Sequence, residues 1–361
     1  MPVRIAKTAT LLALAFLAVT AAHAKVTFKS LLEEMTDLGA LTYFPDPAYT
    51  TKQFSSYDQH STDPKVLTDE NWFANGDRGQ YLRAEDRNGA KEYVLMDTGG
   101  PGAIVRFWSA NPVDAGIVRI YLDNKEEPII EMALTDMLGG VGMPFVKPIA
   151  IELSKGWNSY LPIPYSKHCK VTTSKPDFYY HINYRTYEKG AKVESYTDQL
   201  AKKHESLVRN ASATFTDPSL LAPQYSRGGS GDFQILPGHE HGPLQLGNNP
   251  ASPSAVREIT VKLSGENLEQ KLRTTLIEIA FDDITPPGAF PNTPSVVAPL
   301  GDFFGTAPGL NEYRSLSSGV MADGTMYCYW VMPFQRRVFL RLRNLGDQEV
   351  KGSWNVKISP H

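Results

Sequence analysis

An ordered series of short motifs between residues 120 and 165 returns between residues 279 and 334. Ile120-Tyr121-Leu122-Asp123 is answered by Ile279-Ala280-Phe281-Asp282. The stretch from Pro128 to Gly139 is answered by Pro294 to Gly305, with Asp136 and Asp302 in the same place. Ser159-Tyr160-Leu161-Pro162-Ile163-Pro164-Tyr165 is answered by Cys328-Tyr329-Trp330-Val331-Met332-Pro333-Phe334. A unit of this length is a duplicated domain and not a solenoid repeat. The spacing between matched residues grows along the copy, so the second carries small insertions such as Thr285 to Pro291.

Both copies read as strands. Runs of apolar residues, alternating with polar ones and broken by Gly, Pro, Asn and Asp, cover 92–96, 103–108 and 117–122, then 257–263, 276–281, 327–332, 338–342 and 354–358. The 26 Pro, 28 Gly and 11% aromatic content suit short strands joined by turns. Helical spacing of apolar residues occurs at 28–38, and a Lys/Glu/Ala/Leu-rich helical pattern at 190–209. Residues 217–254 are rich in Pro, Gly and Ser and read as loop. The expected fold is all-β: two tandem jelly-roll sandwiches with a few short helices. The boundaries are 25–50 for a lead-in, 51–188 for the first sandwich, 189–225 for a helical connector and 226–361 for the second sandwich.

Residues 1–24 read as a secretory signal: Arg4 and Lys7, an apolar run from Ala9 to Ala22, and the small-x-small site Ala22-His23-Ala24. Export to the periplasm or the exterior is expected, with no membrane attachment after cleavage. A net charge of -3 gives no sign of a nucleic-acid partner. The two cysteines, Cys169 and Cys328, read as buried thiols.

Nucleophile elbows, Walker loops and H-E-x-x-H zinc motifs do not occur. No cofactor or metal is expected. His239-Glu240-His241 is a weak metal pattern in the Pro/Gly-rich stretch. Asp123, Asp282, Asp136 and Asp302 recur in both copies, which suits turn-shaping carboxylates. Glu278 stands inside a strand, on the face alternate to Ile277 and Ile279, where the first copy has Arg119. It points either to solvent or into a cleft, where it would be a nucleophile or acid/base. The segment 55–83 gathers Tyr57, Asp58, Trp72, Asp77 and Arg83, groups suited either to gripping sugar hydroxyls or to an ordered loop at a sandwich end.

Asp97-Thr98-Gly99-Gly100-Pro101-Gly102-Ala103-Ile104-Val105-Arg106-Phe107-Trp108 resembles the D-x-x-G-P-G-x-I-x-R-x-W signature of the domain family of unknown function 2961, part of which is classed as glycoside hydrolase family 172. Ser56-Tyr57-Asp58, Arg119 to Asp123, Pro299 to Gly305 and Tyr329 to Phe334 also look like that family, so the resemblance spans about residues 50–345. It implies a double jelly roll, trimers or multiples of trimers, and retaining hydrolysis of arabinofuranosides or fructofuranosides by two carboxylates about 5–5.5 Å apart. Carried onto this chain, the family's nucleophile position falls near Leu276 or Glu278; read with the residues beside it, the expected pair is Glu278 as nucleophile and Asp302 as acid/base, with Tyr57, Asp58, Trp72, Asp77 and Arg83 in the sugar cleft and Glu131, Asp58 and Asp77 as reserve acids. The chain departs from the family where a Glu is expected, at Gly301. The alternative is a carbohydrate-binding or structural protein of the same fold without catalysis.

Overall fold

The computed structural model describes residues 25–63, 65–68, 70–71, 74–222, 227–247, 252–282 and 289–361. The expected signal, Trp72 and most of the Thr285–Pro291 insertion lie outside the described residues.

The first sandwich is built from β1 (Tyr49–Ser55), β2 (Arg83–Arg87), β3 (Ala90–Gly99), β4 (Gly102–Ser109), β5 (Ile117–Leu122), β6 (Ile130–Ala133), the small hairpin β7 (Val141–Gly142) and β8 (Phe145–Val146), then β9 (Ala150–Leu153), β10 (Gly156–Ser159), β11 (Ile163–Tyr165), β12 (His168–Thr173) and β13 (Tyr180–Tyr187). One sheet runs β1-β13-β4-β10-β9, with β11 also on β4, and the facing sheet runs β2-β3-β12-β5-β6. The second sandwich uses β14 (Arg227–Ile235), β15 (Glu240–Leu246), β16 (Ser254–Ser264), β17 (Thr275–Phe281), β18 (Val296–Pro299), β19 (Tyr313–Arg314), β20 (Ser318–Val320), β21 (Met326–Cys328), β22 (Met332–Phe334), β23 (Val338–Asn344) and β24 (Val350–Pro360). Its sheets run β14-β24-β16-β21-β20-β19, with β22 on β16, and β15-β23-β17-β18.

The two sheet orders correspond, β1 to β14, β13 to β24, β4 to β16 and β5 to β17, while β2 and β19 have no counterpart. The fold is all-β, two tandem jelly-roll sandwiches. Period-two burial explains each inner face: in β5, Val118 and Ile120 are buried while Arg119 points outward. Each sandwich closes on its own apolar core, the first around Leu95, Phe107 and Ile182 and the second around Val256, Ile279 and Val338. Cys169 belongs to the first core and Cys328 to the second, and both are free thiols. Burial pushes both thiols up, Cys328 to about 11.

The duplicated aspartates at 123 and 282 are turn residues, as expected. Both adopt left-handed backbone, with φ of 56° and 55°. Asp123 accepts from the backbone N–H of Lys167 at 2.6 Å, and Asp282 from those of Gln335, Arg336 and Arg337 at 2.8, 2.6 and 3.2 Å. Each thus pins the loop that precedes the neighbouring strand.

Three expectations need correction. The helix anticipated over 28–38 ends sooner: α1 spans Phe28–Glu34, capped by Thr27, and Asp37 then accepts from Gly39 and Ala40 to start a separate 3-10 turn at Leu38–Thr42. The strand expected over 327–332 is two strands, β21 and β22, separated by Tyr329-Trp330-Val331. The stretch 217–254 is not all loop, because β14 and β15 lie inside it. Glycine is what β14 requires there: a Cβ at Gly228 would sit 2.0 Å from the Val356 carbonyl oxygen, and one at Gly229 would meet Trp354 at 3.1 Å. The connector between the sandwiches is α-helical, α3 at Asp198–Lys203 and α4 at Glu205–Thr216, counting α2 at Leu134–Gly139 before them.

Candidate functional site

The outer face of the second sandwich brings opposite charges together. On β17, Ile277 and Ile279 are core residues, so Glu278 projects from the other side of the sheet. Its neighbours in register are Arg341 on β23 and Val297 on β18. Arg341 donates from Nε to the Glu278 carboxylate, and an Arg343 guanidinium nitrogen lies 3.2 Å from its other oxygen. The same Arg341 donates from a terminal nitrogen to Glu240 on β15 at 3.1 Å. Glu278 and Glu240 therefore share one guanidinium. The Phe290 ring covers Arg341, its centroid 4.0 Å away. Glu278 is only 3% exposed, whereas the Glu240 side chain is 42% exposed.

Asp302 belongs to a different cluster. It lies in the first turn of α6 (Leu300–Phe303), beyond the Leu276–Pro299 pair that ends β18. Its carboxylate takes Arg273 at 2.5 Å, from the end of α5 (Leu268–Thr274). Among the described residues Glu278 and Asp302 share no ion-pair partner. A Cβ at Gly301 would meet Leu272 Cβ at 3.2 Å, so a longer side chain there would enter the packing against α5.

The first sandwich carries the same cell with its charges exchanged. Arg119, in the place of Glu278, contacts Glu131 at 3.0 Å and the buried Glu92 at 3.3 Å. Glu92 also accepts from Tyr121 at 2.9 Å and Thr172 at 2.7 Å. Burial and the Glu92 charge push the Tyr121 hydroxyl up to about 12, so it stays protonated. The hydrogen bond from Arg119 holds the Glu131 carboxyl below its usual range.

The segment 55–83 is partly gathered. Asp58 is buried and accepts from the backbone of Gly76 at 2.7 Å and of His60 at 3.0 Å, while Asp77 accepts from the backbone of Asp58 at 3.0 Å. Those backbone bonds hold the Asp58 carboxyl below the usual range. The two aspartates thus tie the loop to itself. Tyr57, 56% exposed, stands beside them. Arg83 lies apart on β2, bound to Glu85 and Asp97. His239 bonds its own turn at Pro237, and His241 accepts from Trp354 Nε1 at 3.0 Å. Among the described residues no group of three or more His, Cys, Asp or Glu forms a metal site, and no helix is long and apolar enough to cross a membrane.

Sequence reasoning passed over Glu240 as an acid and did not single out Arg341 or Arg343. The legible signal was in β23: arginines at alternate positions 341 and 343, in a strand that is otherwise apolar up to its last residue Asn344, mark a charged outer face that needs a carboxylate opposite.

Residues 47–204 match the GH172 first beta-sandwich domain, and residues 234–356 match the GH172 domain-like model. No curated protein matches the sequence. Among solved structures, the major capsid protein P2 of bacteriophage PM2 aligns at 8% identity over 86% of this chain and 97% of its own, with a TM-score of 0.22. A pair of CBM32 domains from Clostridium perfringens ZmpB aligns at 10% identity over 84% and 92%, TM-score 0.15. Hazelnut vicilin from Corylus avellana aligns at 9% identity over 75% and 76%, TM-score 0.15. The two matched stretches fall one on each sandwich, in the family's order, and the chain therefore belongs to glycoside hydrolase family 172 as a glycoside hydrolase-like protein.

Proposed function

We propose that this chain is a retaining glycosidase of furanose-containing glycans whose carboxylate pair is Glu278 and Glu240. The observation that carries this reading is their convergence on Arg341. Retaining hydrolysis needs two carboxyl groups about 5–5.5 Å apart, and sharing one guanidinium makes Glu278 and Glu240 neighbours. In the first step a Glu278 oxygen bonds to the anomeric carbon as the glycosidic bond breaks, and Glu240 gives its proton to the leaving oxygen. In the second step Glu240 takes a proton from water, whose oxygen displaces Glu278. Glu240, the more exposed of the two, faces the water the second step consumes. Arg341 must turn away from Glu278 for a sugar to reach it, and the Phe290 ring is the side chain that would move with it. Asp302, with its own arginine, has no part in this arrangement. We further propose export through residues 1–24 and assembly in trimers, tested by the N-terminal residue of the periplasmic protein and by light scattering.

The test is release of p-nitrophenol from arabinofuranosides and fructofuranosides. Wild type should turn over at least one of them. Glu278→Gln should lose roughly a thousandfold in kcat/KM, about 4 kcal/mol of transition-state stabilisation. Glu240→Gln should lose less on this activated leaving group and recover with added azide, while Asp302→Asn should stay within about threefold of wild type. Loss in Asp302→Asn equal to that in Glu278→Gln would restore the pair read from the family resemblance. A second reading, sugar binding without turnover, is favoured by one observation: Glu278 has both oxygens paired and is almost sealed. Binding of arabino- or fructo-oligosaccharides with no release from any substrate would establish it.

A further inference from the structure

β15 is the edge strand of one sheet of the second sandwich, and β14 is the edge strand of the facing sheet. An edge strand has a neighbour on one side only. The ladder of β15 is also interrupted: Glu240 and His241 pair with Arg343 and Leu342 of β23, and the register then shifts before Leu244. A cavity of about 40 Å³ lies behind this stretch, bounded by Leu244, Ile259, Ile277 and Val356 with the His241 and Trp354 rings.

One side-chain bond spans the edge. Trp354 of β24, in the β14 sheet, donates from Nε1 to His241 Nε2 of β15 at 3.0 Å. Gly229 and Gly231 of β14 leave the indole its room: a Cβ at Gly229 would meet the ring at 3.1 Å, and one at Gly231 would lie 3.9 Å from Nε1. The Phe233 ring packs beside the imidazole, centroids 5.7 Å apart. An indole N–H can only donate, so the bond requires a neutral imidazole with Nε2 bare and the proton on Nδ1. An imidazolium donates from both nitrogens. Protonation would set two N–H groups against each other and bring a charge to an apolar lining. Burial acts in the same direction and holds His241 below the ordinary histidine value of about 6.5.

The surroundings do not favour the imidazolium. Of the elements packed here, β14 gives Phe233, β24 gives Trp354, β16 gives Ile259 and β17 gives Ile277, none of them charged. β23 gives the cations Arg341 and Arg343, both paired to Glu278. On the chain of β15 itself, Glu240 is paired to Arg341, and His239 bonds the Pro237 carbonyl.

We infer that His241 and Trp354 form an acid-released clasp: neutral His241 ties the two sheets across their open edge, and protonated His241 lets β15 part from Trp354 and uncovers the apolar cavity. The open form takes up the proton at higher pH than the closed one. The clasp is therefore fully engaged above about pH 6.5 and weakens as pH falls below that value. Glu240, next along β15, shifts when the clasp opens; that consequence rests on reading Glu240 as the acid/base, and the clasp itself does not.

Hydrogen–deuterium exchange of the full chain without substrate tests it, corrected for the intrinsic dependence of exchange on pH. Protection of β15, Glu240–Leu246, should fall about tenfold between pH 7.5 and pH 5 while β16 and β17 keep theirs. His241→Gln has a side-chain carbonyl that can accept from the indole and takes up no proton in this range, so it should stay protected at both pH values. Trp354→Phe, lacking the donor, should be poorly protected at both. Wild-type protection that does not change with pH would overturn the inference without any variant. So would a His241→Gln chain that loses protection on acidification as wild type does. Because no substrate is present, failure of the glycosidase reading would leave either result standing.

Discussion

Asp282 shows how much a single side chain decides here. Its backbone sits in left-handed space that Asp and Asn tolerate better than most residues. Burial alone would raise its carboxyl, but three backbone N–H bonds outweigh that and hold it below the usual range. The unfolded chain therefore takes up this proton at higher pH than the folded one does. The stabilisation is fully present above the ordinary carboxylate pKa of about 3.9 and is lost as pH falls through the lower folded value. Asp282→Ala should cost about 1–2 kcal/mol near neutral pH. The gap between the melting temperatures of wild type and Asp282→Ala should narrow as pH drops from 6 towards 3. A gap that stays constant would show that the carboxylate's charge is not what the loop uses. This role was legible in the sequence, since an Asp recurring after a strand in both copies reads as a turn. Glu278 was legible as unusual. Its arginines and Glu240 were not, because cross-strand neighbours depend on register, and register in β15 is shifted between His241 and Leu244 by a bulge.

At the scale of elements, strands whose alternation is clean were readable and strands built on close backbone approach were not. β5 is bounded by Ile117 and Leu122, the limits the apolar alternation gives. β14 and β15 carry Gly and Pro, which normally signal loops. They are strands because β24 and β23 press against them and glycine alone leaves room. The same logic governs Gly352 near the start of β24. A Cβ there would fall 2.2 Å from the Lys262 carbonyl oxygen and 2.8 Å from Phe233. Gly352→Ala should therefore destabilise the second sandwich by about 1–3 kcal/mol, measured by denaturant unfolding followed at Trp354. A neutral result would mean that β24 shifts on β16 without loss. The broken strand at 329–331 was missed for the opposite reason: Tyr-Trp-Val reads as strand, yet Tyr329 instead bonds its backbone N–H to Ser317 across the bend.

The whole molecule is two cores joined by few direct ties. The N-terminal segment reaches the second sandwich through Thr42 and His361, their side chains 2.9 Å apart, with the Tyr43 ring stacked on His361. Arg257 holds the other nitrogen of His361 at 3.0 Å. Arg314 also reaches back to the Thr216 carbonyl at 2.6 Å. Chains with separate cores commonly unfold in more than one step. Calorimetry should resolve two transitions, and Gly352→Ala should lower only one of them. A single transition that moves as a unit would mean that the interface between the sandwiches is stronger than these contacts suggest. The duplication made this architecture the most readable level of all, since a long repeat with strand patterning leaves few alternatives to tandem sandwiches.

Every strand of the first sandwich precedes residue 188 and every strand of the second follows residue 226, with no strand exchanged between them. The gene can therefore be divided in the stretch between Thr216 and Arg227 without cutting a sheet. Expressed as two polypeptides, the halves would each keep the strand partners described here and would meet through contacts that include the His361 and Arg314 ties. Attached to the two parts of a split reporter, they would read out how tightly one ancestral copy still holds the other.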